Sequence, residues 1–212
     1  MGNAFYEYLR SGILPGATLA KRTSQLFNKL KTHYREFGTH TRLQGLTEEM
    51  ICRDSKPPKL HAKGAETRGV VPFAVICAKE MSDRTGSVHD LTVYQCLSSL
   101  LGFYSLLWLP EWHQDLAKST VNRFLSLYSA LSEESMRLGS DRFWRRKPKF
   151  HMFAELTEQA SFLGNPMKYW AYLDEDFVGQ IARVAFSRGG PKAAATTARK
   201  VLTAYRALEG AR

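Results

Sequence analysis

Apolar residues recur at helical spacing along almost the whole of the 212-residue chain. Leu19, Phe27 and Tyr34 belong to the first clear stripe, and the charged residues around them lie off it. Alternation with a period of two has no useful length anywhere, and only short pieces such as 69–71 could be strand. The pattern therefore predicts an all-α fold, a single domain of about eight helices in an orthogonal or irregular bundle.

Residues that start, bend and stop helices set the predicted boundaries. Thr18 can cap the first long helix and Gly38 can end it. Pro72 removes a backbone donor, so a kink or two abutting helices is expected there. Helices are predicted over 19–37, 47–52, 63–81, 90–108, 111–138, 148–163, 174–188 and 191–208.

The organisation of the chain is predicted from composition. Residues 1–59 form a basic N-terminal helical segment followed by a linker that contains Pro57 and Pro58. Residues 60–212 form the main helical domain.

Positive charge is the main indication of a partner. Lys and Arg number 30 against 20 Asp and Glu, which gives a formal net charge of +10 and a pI near 9.6. Such a chain is attracted to polyanions, and nucleic acid, with DNA favoured, is the expected partner. The alternative is that the charge only keeps the protein in solution.

The three cysteines and the apolar segments indicate a compartment. Cys77 and Cys96 have apolar neighbours and are predicted to be core thiols, and Cys52 completes an odd count that fits no disulfide framework. The longest apolar stretch, 100–109, is too short to span a bilayer, so no membrane partner is expected. We expect an intracellular, reducing location, which is nuclear if the protein binds DNA in a eukaryote.

Cations mixed with aromatic residues form the candidate nucleic-acid-binding set. A basic loop covers 142–147, and cations on the last helix share one face. Cations can neutralise phosphates while an aromatic ring stacks on a base. The alternatives are a solvated loop whose Trp144 lies in the core, and an ordinary solvated helix face. The candidates are Arg142, Trp144, Arg145, Arg146, Lys147, Lys149, Lys192, Arg199 and Arg206.

Two places in the sequence are candidates for metal binding. His151, Glu155 and Glu158 share one helix face, which could ligate a metal but more often is a solvated face. Glu175 lies on the polar side of the predicted helix 174–188, one turn before Gly179, which leaves room for a ligand. Capping of that helix by its acidic first turn explains the same residues without chemistry.

Three segments together resemble a family of mobile-element enzymes. They are 63–68, the block Pro148-Lys149-Phe150-His151, and Trp170 followed by Glu175 and Gly179. In order and spacing they resemble the C-terminal part of DNA transposases of the CACTA and Kyakuja–Dileera–Zisupton types.

The resemblance implies a role for two residues. Glu175 would be the metal-binding last acid of an Asp-Asp-Glu site in an RNase H-like fold, and His151 would be a nearby structural or substrate-contacting residue. The two aspartates of such a site come from earlier strands, yet residues 1–58 have no strand pattern. Two-metal chemistry needs several carboxylates, so the resemblance implies DNA binding without cleavage.

The predicted function is therefore a transposase-derived, nucleic-acid-binding helical domain without independent catalytic activity. No cofactor is expected, and a divalent metal is expected only if another segment completes the site. One alternative is a helical protein-interaction scaffold with an exposed apolar patch around Phe103, Trp108 and Trp112. The other is a small metal-dependent hydrolase that uses His151, Glu155 and Glu175.

Overall fold

The computed structural model describes residues 1–39, 41–52, 56–140, 142–147, 149–169 and 203. The chain divides into two compact units, Met1–Lys168 and Tyr169–Arg212. Nearly all of the described residues belong to the first unit.

Helices form all of the regular structure in the described ranges, where there is no strand. The all-α prediction is confirmed, and the seven α-helices described are close to the predicted eight. The predicted helix 174–188 lies outside the described residues, and of the predicted helix 191–208 only residue 203, which is helical, is described. The helices are α1 (Gly2–Arg10), α2 (Leu19–Glu36), α3 (Glu48–Ile51), α4 (Gly64–Thr85), α5 (Val88–Leu106), α6 (Gln114–Arg137) and α7 (Lys149–Leu163), and a 3-10 turn follows at Pro166–Lys168.

The central helix of the first unit is α5, which packs against both α4 and α6. Its buried residues include Val93, Cys96 and Phe103, and apolar residues surround most of its circumference. A helix that is apolar on most sides is stable only when neighbours cover it. On the outside, α7 packs on α6, while α1 contacts α2, α3 and α4.

The N-terminal helix α1 is a core element that the sequence patterns did not predict. Phe5, Tyr8 and Leu9 are fully buried, and their spacing places them on one face. Burying each of these side chains contributes roughly 1.5–3 kcal/mol. Residues on both sides of the predicted boundary at 59 thus contribute to one core, because α1 packs directly on α4.

Helix α4 runs without interruption through Pro72, so the predicted alternative of two abutting helices is wrong. The residues just after Pro72 are buried: Phe73 and Ala74 face the core. Their packing compensates for the backbone hydrogen bond that proline cannot donate. Gly69 allows a close crossing, since a Cβ there would lie 2.5 Å from the carbonyl oxygen of Thr41.

Two of the three thiols lie in the core, as predicted. Cys77 and Cys96 are buried and free, and burial raises the pKa of each thiol to about 12. Within the described ranges, none of the helices combines the length and apolar character needed to cross a bilayer.

Candidate nucleic-acid interface

The basic loop 142–147 connects α6 to α7. The end of α6 is closed by Gly139, whose φ of 67° is the left-handed conformation that glycine adopts without strain. The side chains of Arg145, Arg146 and Lys147 are exposed, and those of Arg142 and Phe143 are half-buried. The loop therefore presents these three cations to solvent.

Trp144 faces the interior, in the opposite direction from the cations of its loop. Its side chain is 2% exposed, and its indole Nε1 donates a hydrogen bond of 2.6 Å to Oε1 of Glu7. The ring meets that of Tyr128 edge-on, with centroids 5.3 Å apart. A buried ring cannot stack on a base, so Trp144 is a structural anchor and not the predicted nucleic-acid contact.

Glu7, which accepts the hydrogen bond of Trp144, also faces charged side chains from distant parts of the sequence. The other oxygen of Glu7, Oε2, lies 3.5 Å from Nε2 of His89, and Nδ1 of His89 lies 2.6 Å from Oε2 of Glu134. Glu7 and Glu134 raise the pKa of His89 to about 9, while burial opposes the shift. The imidazolium therefore links α1, α5 and α6 behind the basic loop.

Four cations, one from the segment before α4 and three from the basic loop, line one cavity. The cavity has a volume of about 180 Å³, and the cations are Lys59, Arg142, Arg145 and Lys147. Among the described residues that line it, none carries a carboxylate. Desolvation of its ammonium group, followed by the positive charges of Lys59, Lys149 and Arg145, lowers the pKa of Lys147, as expected where like charges lie close together.

Lys59 reaches this cavity because its backbone packs against the start of α1. A Cβ on Gly2 would lie 2.4 Å from the Cα of Lys59, so only glycine permits this approach. The amide of Lys59 also donates to the carbonyl oxygen of Ile51, at 2.9 Å. We name the set Lys59, Arg142, Arg145 and Lys147 the cation pocket.

Two other predicted cations of this region differ from the cation pocket. Nη2 of Arg146 lies 3.5 Å from Oε1 of Glu133, so a carboxylate already offsets part of its charge. Lys149 is exposed on the first turn of α7 and lowers the pKa of Lys147, so it lies close to the cation pocket.

The predicted metal-ligating stripe on α7 forms pairs with other residues. Nε2 of His151 lies 3.0 Å from Oε1 of Glu155, and both side chains are largely exposed. Glu158 forms an ion pair with Lys118 of α6, with 2.7 Å between Nζ and Oε1. The described parts of the chain contain no group of three or more metal-ligating side chains.

The remaining predicted site residues lie outside the described residues. They are Glu175, Lys192, Arg199 and Arg206, together with Trp170 and Gly179 of the transposase resemblance. Their roles stay predictions.

The residues that position the loop were not predicted from the sequence. Glu7, His89 and Glu134 are separated in sequence, and no local pattern connects them. Lys59 was assigned to a linker, although two prolines directly before it indicate a segment of restricted conformation.

The chain has no significant match among known proteins. No protein-family model matches the chain, and neither the curated proteins nor the solved structures contain a significant match. The similarity to transposases therefore remains a resemblance of motifs.

Proposed function

We propose that this protein is a helical nucleic-acid-binding domain, with DNA favoured, derived from a transposase and without catalytic activity of its own. The observation that carries the proposal is the cation pocket. Four positive side chains surround one cavity whose described lining contains no carboxylate. Their mutual repulsion is relieved when an anion enters.

A phosphate group is the anion that fits this arrangement best. Arg142 and Arg145 offer planar forks of donors, and Lys147 and Lys59 offer mobile point charges. Neutralising several phosphates releases condensed counterions, which drives the association and makes it sensitive to salt. The buried Trp144 limits the freedom of the loop, so less entropy is lost when the cations bind.

Lys149 extends the surface along α7, and Arg146 contributes less because Glu133 already attracts it. Lys192, Arg199 and Arg206 remain proposed contacts on the second unit. Phosphoryl transfer would require carboxylates that share metal ions, and Glu175 is the one acid that the transposase resemblance assigns. We therefore propose binding without cleavage.

The test is a fluorescence anisotropy titration of a short, blunt-ended labelled duplex at several salt concentrations. We expect the variant Arg145→Gln with Lys147→Gln to bind roughly tenfold more weakly at low salt and to show a slope of log K against log salt that is shallower by about 1.8. The matched control removes two exposed arginines of α6, by Arg123→Gln and Arg137→Gln. Equal losses in both variants, or no binding by the natural sequence, would contradict the proposal.

A second candidate, a protein-interaction scaffold, is favoured by exposed apolar side chains near the end of α5. Trp108 is 64% exposed. Leu109, the next residue in the sequence, and Leu116, in the first turn of α6, are also exposed. The predicted patch was partly wrong, because Phe103 is buried and Trp112 is half-buried. Sedimentation velocity of the natural sequence and of Trp108→Gln tests whether this surface mediates self-association.

A further inference from the structure

A second cation-lined groove lies on α2, and no sequence prediction assigned it a role. It has a volume of about 790 Å³ and lies between α2 and the segment 42–44. Lys31, Arg35 and Arg42 supply its charge, and the ring of Phe27 forms part of its wall. None of the described residues that line it is acidic.

The cations of this groove are held by neutral groups. Nη2 of Arg35 donates to Oγ1 of Thr32 at 3.0 Å, and Arg42 donates to the carbonyl oxygens of Thr39 and Tyr34 at 2.6 and 3.2 Å. Neutral acceptors leave the positive charge uncompensated. In the described part of the chain, no carboxylate lies within ion-pair distance of Lys31, Arg35 or Arg42.

The spacing of these groups suits a strand of nucleic acid. Phe27, Lys31 and Arg35 are four residues apart, so they follow one another along a single helix face at about 6 Å per step. A groove that presents cations in a row can track the phosphate backbone of a single strand. Nζ of Lys31 lies 5.1 Å from the centroid of Phe27, which places a cation and an aromatic face together.

We propose that the α2 groove binds single-stranded nucleic acid, with Lys31, Arg35 and Arg42 on the phosphates and a base against Phe27. Aromatic rings beside cations bind unpaired bases without requiring a particular sequence. The side-chain amide of Gln44 on the opposite wall can donate a hydrogen bond to the edge of a base or accept one from it. In a duplex, the pairing edges of the bases are already occupied by the other strand. This inference rests on the proposed nucleic-acid binding and adds a preference between strand forms.

The experiment compares labelled oligothymidylate with a blunt duplex of equal length, by anisotropy, on the full chain. We expect Lys31→Gln with Arg35→Gln to weaken oligothymidylate binding about tenfold and to make its salt slope shallower by about 1.4. Duplex binding should fall less than about threefold, because the duplex binds at the cation pocket. Phe27→Leu keeps the apolar volume and should weaken the single strand about fivefold.

The control variant Arg123→Gln with Arg137→Gln removes the same charge and should change single-strand binding by less than about twofold. If the groove variant matches this control while the cation-pocket variant still loses duplex affinity, the groove proposal fails alone. If the groove variant loses both strand forms equally, the strand preference is wrong. If it loses binding to phosphatidylserine vesicles but not to oligothymidylate, the groove binds an anionic membrane surface instead. If the natural sequence binds neither oligonucleotide, both proposals fail together.

Discussion

The basic loop and the α2 groove carry similar charge but are built in different ways. The loop cations owe their positions to Trp144, whose indole is bonded to Glu7, a residue 137 positions away in the sequence. Two of the groove cations, Lys31 and Arg35, follow from the periodicity of α2, and the third, Arg42, is held on the segment just after it. The hydrogen bonds of Arg35 and Arg42 are to residues at most eight positions away.

Binding and stability are therefore related differently in the two regions. A surface that depends on a buried network loses its shape when the network is broken. A surface built from one helix and the segment that follows it keeps its shape when single exposed residues change. We therefore expect stability and affinity to change together at the loop and separately at the groove.

The largest expected effect is that of removing the anchor. Trp144→Ala should lower the free energy of unfolding by about 3–5 kcal/mol, because a buried indole and its hydrogen bond are lost together. Urea unfolding followed by circular dichroism measures the change. An unchanged midpoint would show that the loop is not anchored through this side chain.

Trp144→Phe separates the hydrogen bond from the packing. Phenylalanine keeps most of the buried ring but leaves Oε1 of Glu7 without its donor, so we expect a loss of roughly 1.5–3 kcal/mol. A loss as large as that of the alanine variant would place the whole effect on the bond to Glu7.

The next effect in size comes from the charge on His89. Its pKa of about 9 in the folded protein lies above the ordinary 6.5, so the folded state keeps a proton that the unfolded chain releases. The stabilisation is complete below pH 6.5 and is lost as the pH rises through 9, with a loss on the order of 3 kcal/mol. Urea unfolding at intervals over this window gives the slope.

His89→Gln isolates this contribution from other titrating groups. His33 has a lowered pKa and acts below pH 6.5, and the buried thiols act where unfolded cysteine ionises, above about 8.5. The difference between the natural sequence and the variant should shrink as the pH rises. A difference that stays constant with pH would mean that His89 is neutral between its two glutamates.

The smallest expected effect is on the stability of the α2 groove. Arg35→Gln and Lys31→Gln should each change the free energy of unfolding by less than about 0.5 kcal/mol, because both side chains are exposed. Thermal unfolding by calorimetry checks this. A loss above 1 kcal/mol would show that the groove, like the loop, depends on its cations for structure.

Regular helices with clear ends could be predicted from the sequence. Helix α2 begins after Thr18, whose Oγ1 accepts from the amide of Lys21 at 3.2 Å, and the predicted end at Gly38 is within two residues of the observed end. Helix α6 also lies within its predicted range. Caps and periodic stripes are local properties, so a single sequence contains them.

The elements that sequence patterns did not predict depend on distant partners. Helix α1 has nine residues, fewer than the window over which periodicity is measured, and other helices supply its burial. Trp144 was compatible with either a base contact or the core, and its bond to Glu7 decides between them. Lys59 belongs to the cation pocket because of a backbone contact with Gly2 that no local pattern records.

We propose that nucleic acid binds at the cation pocket. The most direct test is a nuclear magnetic resonance titration of the labelled protein with a short duplex, following the side-chain signals of arginine and lysine. We predict that the shifts concentrate on Arg142, Arg145, Lys147 and Lys59, while those of Arg123 and Arg137 stay in place. Saturation that shifts the signals of Arg123 and Arg137 and leaves those of the cation pocket unchanged would contradict this proposal.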